Sequence, residues 1–299
     1  MISSRFDLRI PFYLLVLLSV SFVLSIFAMQ LFGGVLIILW LLERNSEKKK
    51  AVDKFIIAAS LFGISRLLAI IFSEYPEESI PALYKEALFF LSFFSLGFYF
   101  KALDEKKIKL LVFSFIAGAA INSVIGLVRF NAGIVERAES FSSGYTVFSG
   151  YLVAAVGIAA AAFKFNETDK KYSWVILTSA AVMFAGIITS LGRINIAVAV
   201  LILILSVIFK MISFKNIIFI LLIAGAISFI SFYNNKAEVT QRIESPAQLS
   251  DRDIIYKGAG EILWEHPFLG YGPRTFKEIF PFREEFSDKG ISGWHNHIL

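Results

Sequence analysis

The sequence predicts an all-α, polytopic transmembrane helix bundle with one large outer loop that contains a surface helix. Three observations carry that expectation. Hydrophobic residues make up 57% of the chain and charged residues only 18%, too thin a polar coat for a soluble domain of 299 residues. Mean hydropathy is +0.71. The apolar runs PFYLLVLLSVSFVLSIFAM, IAVAVLILILSVIF and IIFILLIAGAISFISF approach or exceed the length that crosses a bilayer. A membrane barrel would instead show short alternating segments, and none is present. Cysteine is absent, which removes disulfides and thiolate metal ligands without fixing a compartment.

Taken in order, the apolar segments read as nine spans at about 10–28, 29–42, 54–73, 83–100, 108–128, 146–163, 173–190, 194–212 and 215–233. Arg5 and Arg9 before the first run resemble a signal peptide. With so many spans following and no clear small-residue cleavage site, the run reads as a first membrane anchor. The first apolar stretch is too long for one helix, and Gly33–Gly34 marks either a turn or a close helix contact. Charge favours splitting it. With the N-terminus inside, the inner loops hold 16 of the 29 Lys and Arg residues, and the short outer loops hold only Lys85, Arg129, Arg137 and Arg193. A single first span would invert every later loop and spoil that pattern. The net charge of +5 therefore reports topology rather than nucleic-acid binding.

The expected organisation is a bundle over residues 1–232, a large outer loop over 233–294 and the start of a returning transmembrane helix at 295–299. Within the loop, SDRDIIYKGAGEILWEHP reads as a helix: Ser250 caps it, Asp253 follows three residues on, and Pro267 ends it. Ile255, Ala259, Ile262 and Leu263 form one apolar stripe. That stripe should lie on the outer membrane surface or the bundle top, with Trp264 near headgroup level.

Several residues on the outer side have types suited to chemistry. Arg193, in TSLGRIN, lies in a very short turn with no acid near it in sequence. It is either a snorkelling arginine on lipid headgroups or an anion site, since guanidinium offers forked hydrogen bonds to phosphate. Arg252, in LSDRDII, is by itself a solvated arginine between Asp251 and Asp253. In HPFLGYGP, Pro267, Gly270 and Gly272 make either a helix stop with a glycine turn or a place where backbone meets a ligand. It lacks the strand–turn–helix setting of a nucleotide loop. His295 and His297 follow Trp294; at that spacing they share a metal only in a strand, and His266 is the only other histidine. A lone histidine acting as general base, with an unperturbed pKa of about 6.5, suits the composition better than a metal site. The bland alternative is an interfacial histidine beside an anchoring tryptophan. Arg66, in GISRLLA, is costly in lipid and should face an aqueous cavity or a partner. Lys85 and Arg137 add positive charge on the same side. A polyanionic substrate on the outer leaflet would suit these groups.

These features, in this order, resemble the O-antigen ligase and O-antigen polymerase superfamily. FSEYPEESIPALYKEALFFLSFF resembles the family's outer loop running into its next helix, and TSLGRINIAVAVLILIL its Thr-Ser-x-Arg junction. SDRDIIYKGAGEILWEHPFLGYGPRTF resembles its outer-loop helix followed by Pro-x-x-Gly-x-Gly, and HNHIL its His-Asn before a returning helix. The resemblance implies a metal-independent glycosyltransferase without cofactor, in the bacterial inner membrane, with a cytoplasmic N-terminus and a periplasmic large loop. It implies a glycan on undecaprenyl diphosphate as donor, lipid A-core or another glycan as acceptor, contact with membrane lipid, and no nucleic acid. Carried over by position, Arg193 and Arg252 bind the diphosphate and His295 is the catalytic base. His295 is chosen over His297 because the family places an amide or hydroxyl residue, here Asn296, directly after its histidine. Arg66, Lys85, Arg137 and Asn296 are further substrate contacts. The family pattern continues beyond its histidine with glycines and further helices, so the resemblance also implies C-terminal truncation at Leu299. The competing class is a lipid-linked glycan flippase or other transporter. Such proteins show repeat symmetry and charge near the midplane, whereas this chain has only Arg66 deep in a span.

Overall fold

Polar residues break the apolar runs, and several of them also cap the helices that follow. In the computed structural model, which describes residues 7–141, 144–165, 170–235 and 252–282, the chain is helical wherever the runs are apolar. The helices are α1 (Arg9–Leu24), α2 (Ile26–Leu41), α3 (Asn45–Lys50), α4 (Lys54–Ile71), α5 (Pro76–Ser79) and α6 (Leu83–Lys101). They continue with α7 (Glu105–Asn131), α8 (Gly144–Phe165), α9 (Lys170–Thr189), α10 (Arg193–Ile208), α11 (Phe214–Asn234), α12 (Arg252–Ile262) and α13 (Phe276–Ile279). Asp53 caps α4 by accepting from the Ile56 N–H at 2.9 Å, and Asp104 caps α7 by accepting from Lys107 N–H at 2.9 Å. Ser213 does the same for α11. Each cap satisfies a donor that the first helical turn leaves open.

Each of the nine expected apolar segments falls on a helix. By length and composition, α4, α6 (extended back to Pro76), α7, α8, α9 (from Tyr172) and α11 can cross a membrane, so six helices meet that criterion. The other three, α1, α2 and α10, have 16 residues each. They are about 24 Å long, short of a hydrocarbon core of about 30 Å. The break in the first run also differs from expectation. It falls at Ser25, whose backbone is extended (φ −152°, ψ 117°) and whose hydroxyl accepts from Ala28 N–H. Gly33 and Gly34 lie inside α2.

The chain forms two compact units. One contains α1, α2 and α7 to α11. Its core is built around α9, which packs on α7, α8, α10 and α11, while α1 packs on α7. Small residues permit the close approach: a Cβ on Gly118 of α7 would lie 3.1 Å from the Val20 Cα, and one on Gly126 would strike the Phe148 ring. The outer surfaces are apolar, with Leu222 and Phe229 of α11 68% and 71% exposed, as lipid contact requires.

The other unit contains α3 to α6, α12 and α13. Here α4 and α6 pair through aromatic rings, with Phe55 on Phe93 and Phe62 on Phe90 at centroid distances of 5.2 and 6.3 Å. At one end of this pair Lys101 bonds Asp53 at 2.6 Å and also donates to the Ala51 carbonyl. That ammonium, and then the Ile56 N–H, hold the Asp53 carboxyl below the usual carboxylate range. The apolar stripe of α12, expected to lie on the outer membrane surface or the bundle top, is covered within its own unit at Ile255 and Ala259, while Leu263 is exposed. Ile255 is buried against Phe276 of α13 and Phe280, with Phe282 beside them, and a Cβ on Gly258 would collide with the Phe280 ring. Trp264 is 79% exposed. The expected Ser250 cap lies outside the described residues.

Candidate functional site

Arg193 opens α10, directly after a turn in which Leu191 takes φ +56°. Ser190 Oγ accepts from Gly192 N–H at 3.3 Å within that turn. The first turn of α10 is tied to α8 by Asn195, whose amide donates to Ser149 Oγ at 2.5 Å and to the Thr146 carbonyl at 3.2 Å. Arg193 itself is exposed and makes no ion pair among the described residues. A guanidinium on the first residue of a helix adds to the positive end of the helix dipole, which is locally unfavourable by tenths of a kcal/mol. An anion at that place would meet both the guanidinium and the open N–H groups of the first turn.

Arg137 belongs to the connection between α7 and α8, in the same unit. Its guanidinium lies 4.1 Å from the centroid of the Tyr145 ring. The connection is pinned from several sides. Arg129 donates to the Ser140 carbonyl and, at 3.3 Å, to the Glu139 carbonyl. Ser140 Oγ donates to Asn122 Oδ1, and Ala138 N–H donates to the Thr189 carbonyl at 3.1 Å. Asn122 Nδ2 is buried without a hydrogen-bond partner among the described residues.

Arg66 lies in the other unit, on α4. Its Nη2 is 2.8 Å from Glu86 Oε1 on α6, so this charge is neutralised by a residue twenty positions away. Arg66 borders a cavity of about 150 Å³ whose other walls come from α4, α12, α13 and the segment between α12 and α13. His266 forms part of that wall, with Nε2 3.2 Å from Glu74 Oε1 and its ring against Tyr271 at 4.3 Å. Tyr271 donates its hydroxyl to Glu265. Burial, and then that carboxylate, push the phenol up to about 12, which keeps it a protonated donor near neutral pH.

The glycine stretch is held by serines rather than left open. Ser73 Oγ donates to the Tyr271 carbonyl at 2.6 Å, and Ser79 Oγ to the Pro273 carbonyl at 3.2 Å. The two hydroxyls are themselves 2.7 Å apart. Gly272 has φ +100°, and a Cβ there would collide with both serine hydroxyls. Backbone does approach something closely at this point, and what it approaches is Ser73, just after α4, and Ser79, at the end of α5.

The structure thus brings Arg66 into a cavity wall with His266 and Tyr271, and places Arg193 and Arg137 in the other unit. Lys85 lies in the first turn of α6 beside Glu86, and Arg252 begins α12; their side chains fall outside the described set. His295, Asn296 and His297 also lie outside the described residues. The sequence reading gave no role to Ser73, Ser79 or Tyr271, and weighed His266 only as a metal ligand. Two serines flanking EYPEE and a histidine directly before the Pro-x-x-Gly-x-Gly stretch were the available signals.

Among models of known protein families, the one described as O-Antigen ligase matches residues 178–299. No curated protein and no solved structure matches the chain. The matched residues include Arg193, Arg252 and His295, and begin after Arg66, Lys85 and Arg137. The family implies a lipid-linked glycan and an acceptor as substrates in general, and surface-polysaccharide synthesis as the setting. Residues 178–299 are therefore similar to the O-antigen ligase family, which supports a function of ligase or polymerase type in general, and the six long apolar helices mark a multi-pass membrane protein.

Proposed function

We propose that this chain is a ligase-type glycosyltransferase of the bacterial inner membrane. It moves an oligosaccharide or polysaccharide from undecaprenyl diphosphate to an acceptor hydroxyl, on lipid A-core or another glycan. The observation that carries the reading is the O-antigen ligase match over residues 178–299, which contains both candidate diphosphate arginines and the candidate base. The exposed guanidinium of Arg193 at the start of α10 supports it.

In this mechanism the acceptor oxygen bonds to sugar C1 as the bond between C1 and the diphosphate oxygen breaks. The electron pair of that bond leaves with the diphosphate, and the acceptor proton passes to His295. Negative charge gathers on the leaving diphosphate, so Arg193 and Arg252 stabilise the transition state more than the ground state. The base contributes a further factor of roughly 10²–10⁴. No metal takes part.

The test uses purified full-length chain, lipid-linked glycan and acceptor in buffer containing EDTA. Arg193→Ala and Arg252→Ala are each expected to lower transfer by roughly 10²–10³-fold. His295→Ala should lower it by roughly 10²–10⁴-fold. All three should accumulate in the membrane like wild type, and wild-type rates in the three variants would overturn the assignment. A strain without the gene then separates the acceptors. Long chains stranded on the carrier lipid identify a ligase, and single repeat units identify a polymerase.

A further inference from the structure

The cavity beside Arg66 differs in kind from the proposed diphosphate site, and we infer that it is a subsite for one uncharged pyranose ring of the glycan. The ligand class rests on the proposed glycan transfer; the choice of an uncharged ring rests on the cavity's own walls. Its volume of about 150 Å³ is below the ~300 Å³ at which drug-sized pockets begin, and suits a single ring. Ala69, Ala259, Ile262 and Leu263 supply an apolar wall against which the C–H face of a pyranose can lie. Arg66, His266 and Thr275 supply polar atoms on the same lining.

Charge decides against a phosphate. Arg66 is bound to Glu86, His266 lies against Glu74, and Tyr271 donates to Glu265. On the lining, Arg66, His266 and Tyr271 are each already paired with a carboxylate behind them, so a phosphate or a uronate would have to compete with Glu86, Glu74 and Glu265 for the same donors. A neutral sugar has hydroxyls that both donate and accept, and a lining of paired guanidinium, imidazole, phenol and hydroxyl groups serves it without a charge mismatch. The rim is also set in advance. The Gly272 turn is fastened to Ser73 and Ser79, and Thr275 Oγ1 donates to the Gly272 carbonyl at 2.8 Å. Little ordering is then left for the ligand to impose.

The position of the cavity along α12 says which ring it would hold. Ala259 and Ile262 lie seven and ten residues beyond Arg252, or about 10–15 Å along the helix. A ring there is remote from the bond that breaks at the diphosphate. Its contacts are the same in ground and transition states, so they act on KM rather than on kcat.

The test is saturation-transfer NMR on the full chain in nanodiscs. The probes are methyl glycosides of a neutral hexose, an N-acetylhexosamine and a uronic acid, with inorganic pyrophosphate as competitor. The two neutral glycosides are expected to receive saturation at millimolar concentration, and the uronate is not. Pyrophosphate should fail to displace them. Ala69→Leu, which fills the cavity, should abolish the signal and raise KM for the glycan substrate about tenfold with kcat within about twofold. Because a larger side chain at a buried position can disturb packing, His266→Gln provides a second, nearly isosteric variant with the same expected direction. Absence of saturation transfer while wild type still consumes lipid-linked glycan would overturn the subsite. Displacement by pyrophosphate, or an unchanged signal in both variants, would do the same. Conversely, glycoside binding that Ala69→Leu abolishes, in a chain that transfers no glycan, would keep the subsite and remove the transferase reading.

Discussion

Gly272 shows how much a single residue can fix in this chain. Its φ of +100° is strained for any side chain, and its missing Cβ leaves room for the hydroxyls of Ser73 and Ser79. Gly272→Ala is therefore expected to cost roughly 1–3 kcal/mol. Ser73→Ala, which removes the bond to the Tyr271 carbonyl together with the Ser79 Oγ contact and the acceptor of the Tyr75 N–H, should cost about 1–3 kcal/mol. Thermal unfolding of the detergent-solubilised protein measures both, and a Gly272→Ala protein as stable as wild type would contradict the turn described. Asp53 gives a second expectation, in pH. Lys101 and the Ile56 N–H lower its folded pKa below 3.8, so its contribution is full above that value and disappears as pH falls through the lowered one. Asp53→Asn should therefore unfold earlier than wild type at pH 7, and the two should converge in strong acid. Equal loss in the variant at every pH would show that the ion pair with Lys101 contributes nothing.

At the scale of elements, the sequence foretold what depends on local pattern and missed what depends on distant partners. The apolar runs and their polar ends marked the nine long helices, because a chain in lipid must satisfy its backbone within each segment. The helix after Arg252 was legible from its stripe of Ile255 and Ala259. What covers that stripe was not. Phe276 and Phe280 lie some twenty residues further on, in a stretch with no helical period of its own. The same limit applies to Arg66. Its placement in a span signalled a partner or a cavity, yet nothing local singled out Glu86. At Gly33–Gly34 a turn and a close helix contact were both open, and the break lies at Ser25 instead. Glycine is common inside membrane helices, whereas a serine that accepts from the backbone three residues ahead starts a new one. Of the proposed diphosphate arginines, Arg193 and Arg252 were legible as types and as lying at helix starts. The fastening of the glycine turn to Ser73 and Ser79 joins residues nearly two hundred positions apart, and periodicity carries no trace of it.

For the whole molecule, the open quantity is the number of crossings, and the three 16-residue helices decide it. On the positive-inside expectation, α1 and α2 together return the chain to the inner side before α3. Between α3 and the segment after α12 there are seven long apolar helices: α4, α6, α7, α8, α9, α10 and α11. If all seven cross, the two places lie on opposite faces. If α10, at about 24 Å, stays in one leaflet, six crossings put them on the same face. Local thinning or flanking polar residues at modest cost let such a helix span, and Arg193 at its first position can reach headgroups from there. The absence of cysteine makes the measurement clean. Ser46→Cys in α3 and Phe268→Cys, at a position 96% exposed, each introduce one thiol. A membrane-impermeant maleimide applied to intact spheroplasts should label the second and not the first, with both labelled after permeabilisation. Label on both or on neither in intact cells would mean that α10 does not cross. Arg193 and the segment after α12 would then lie on opposite faces, and no single diphosphate could meet both Arg193 and Arg252.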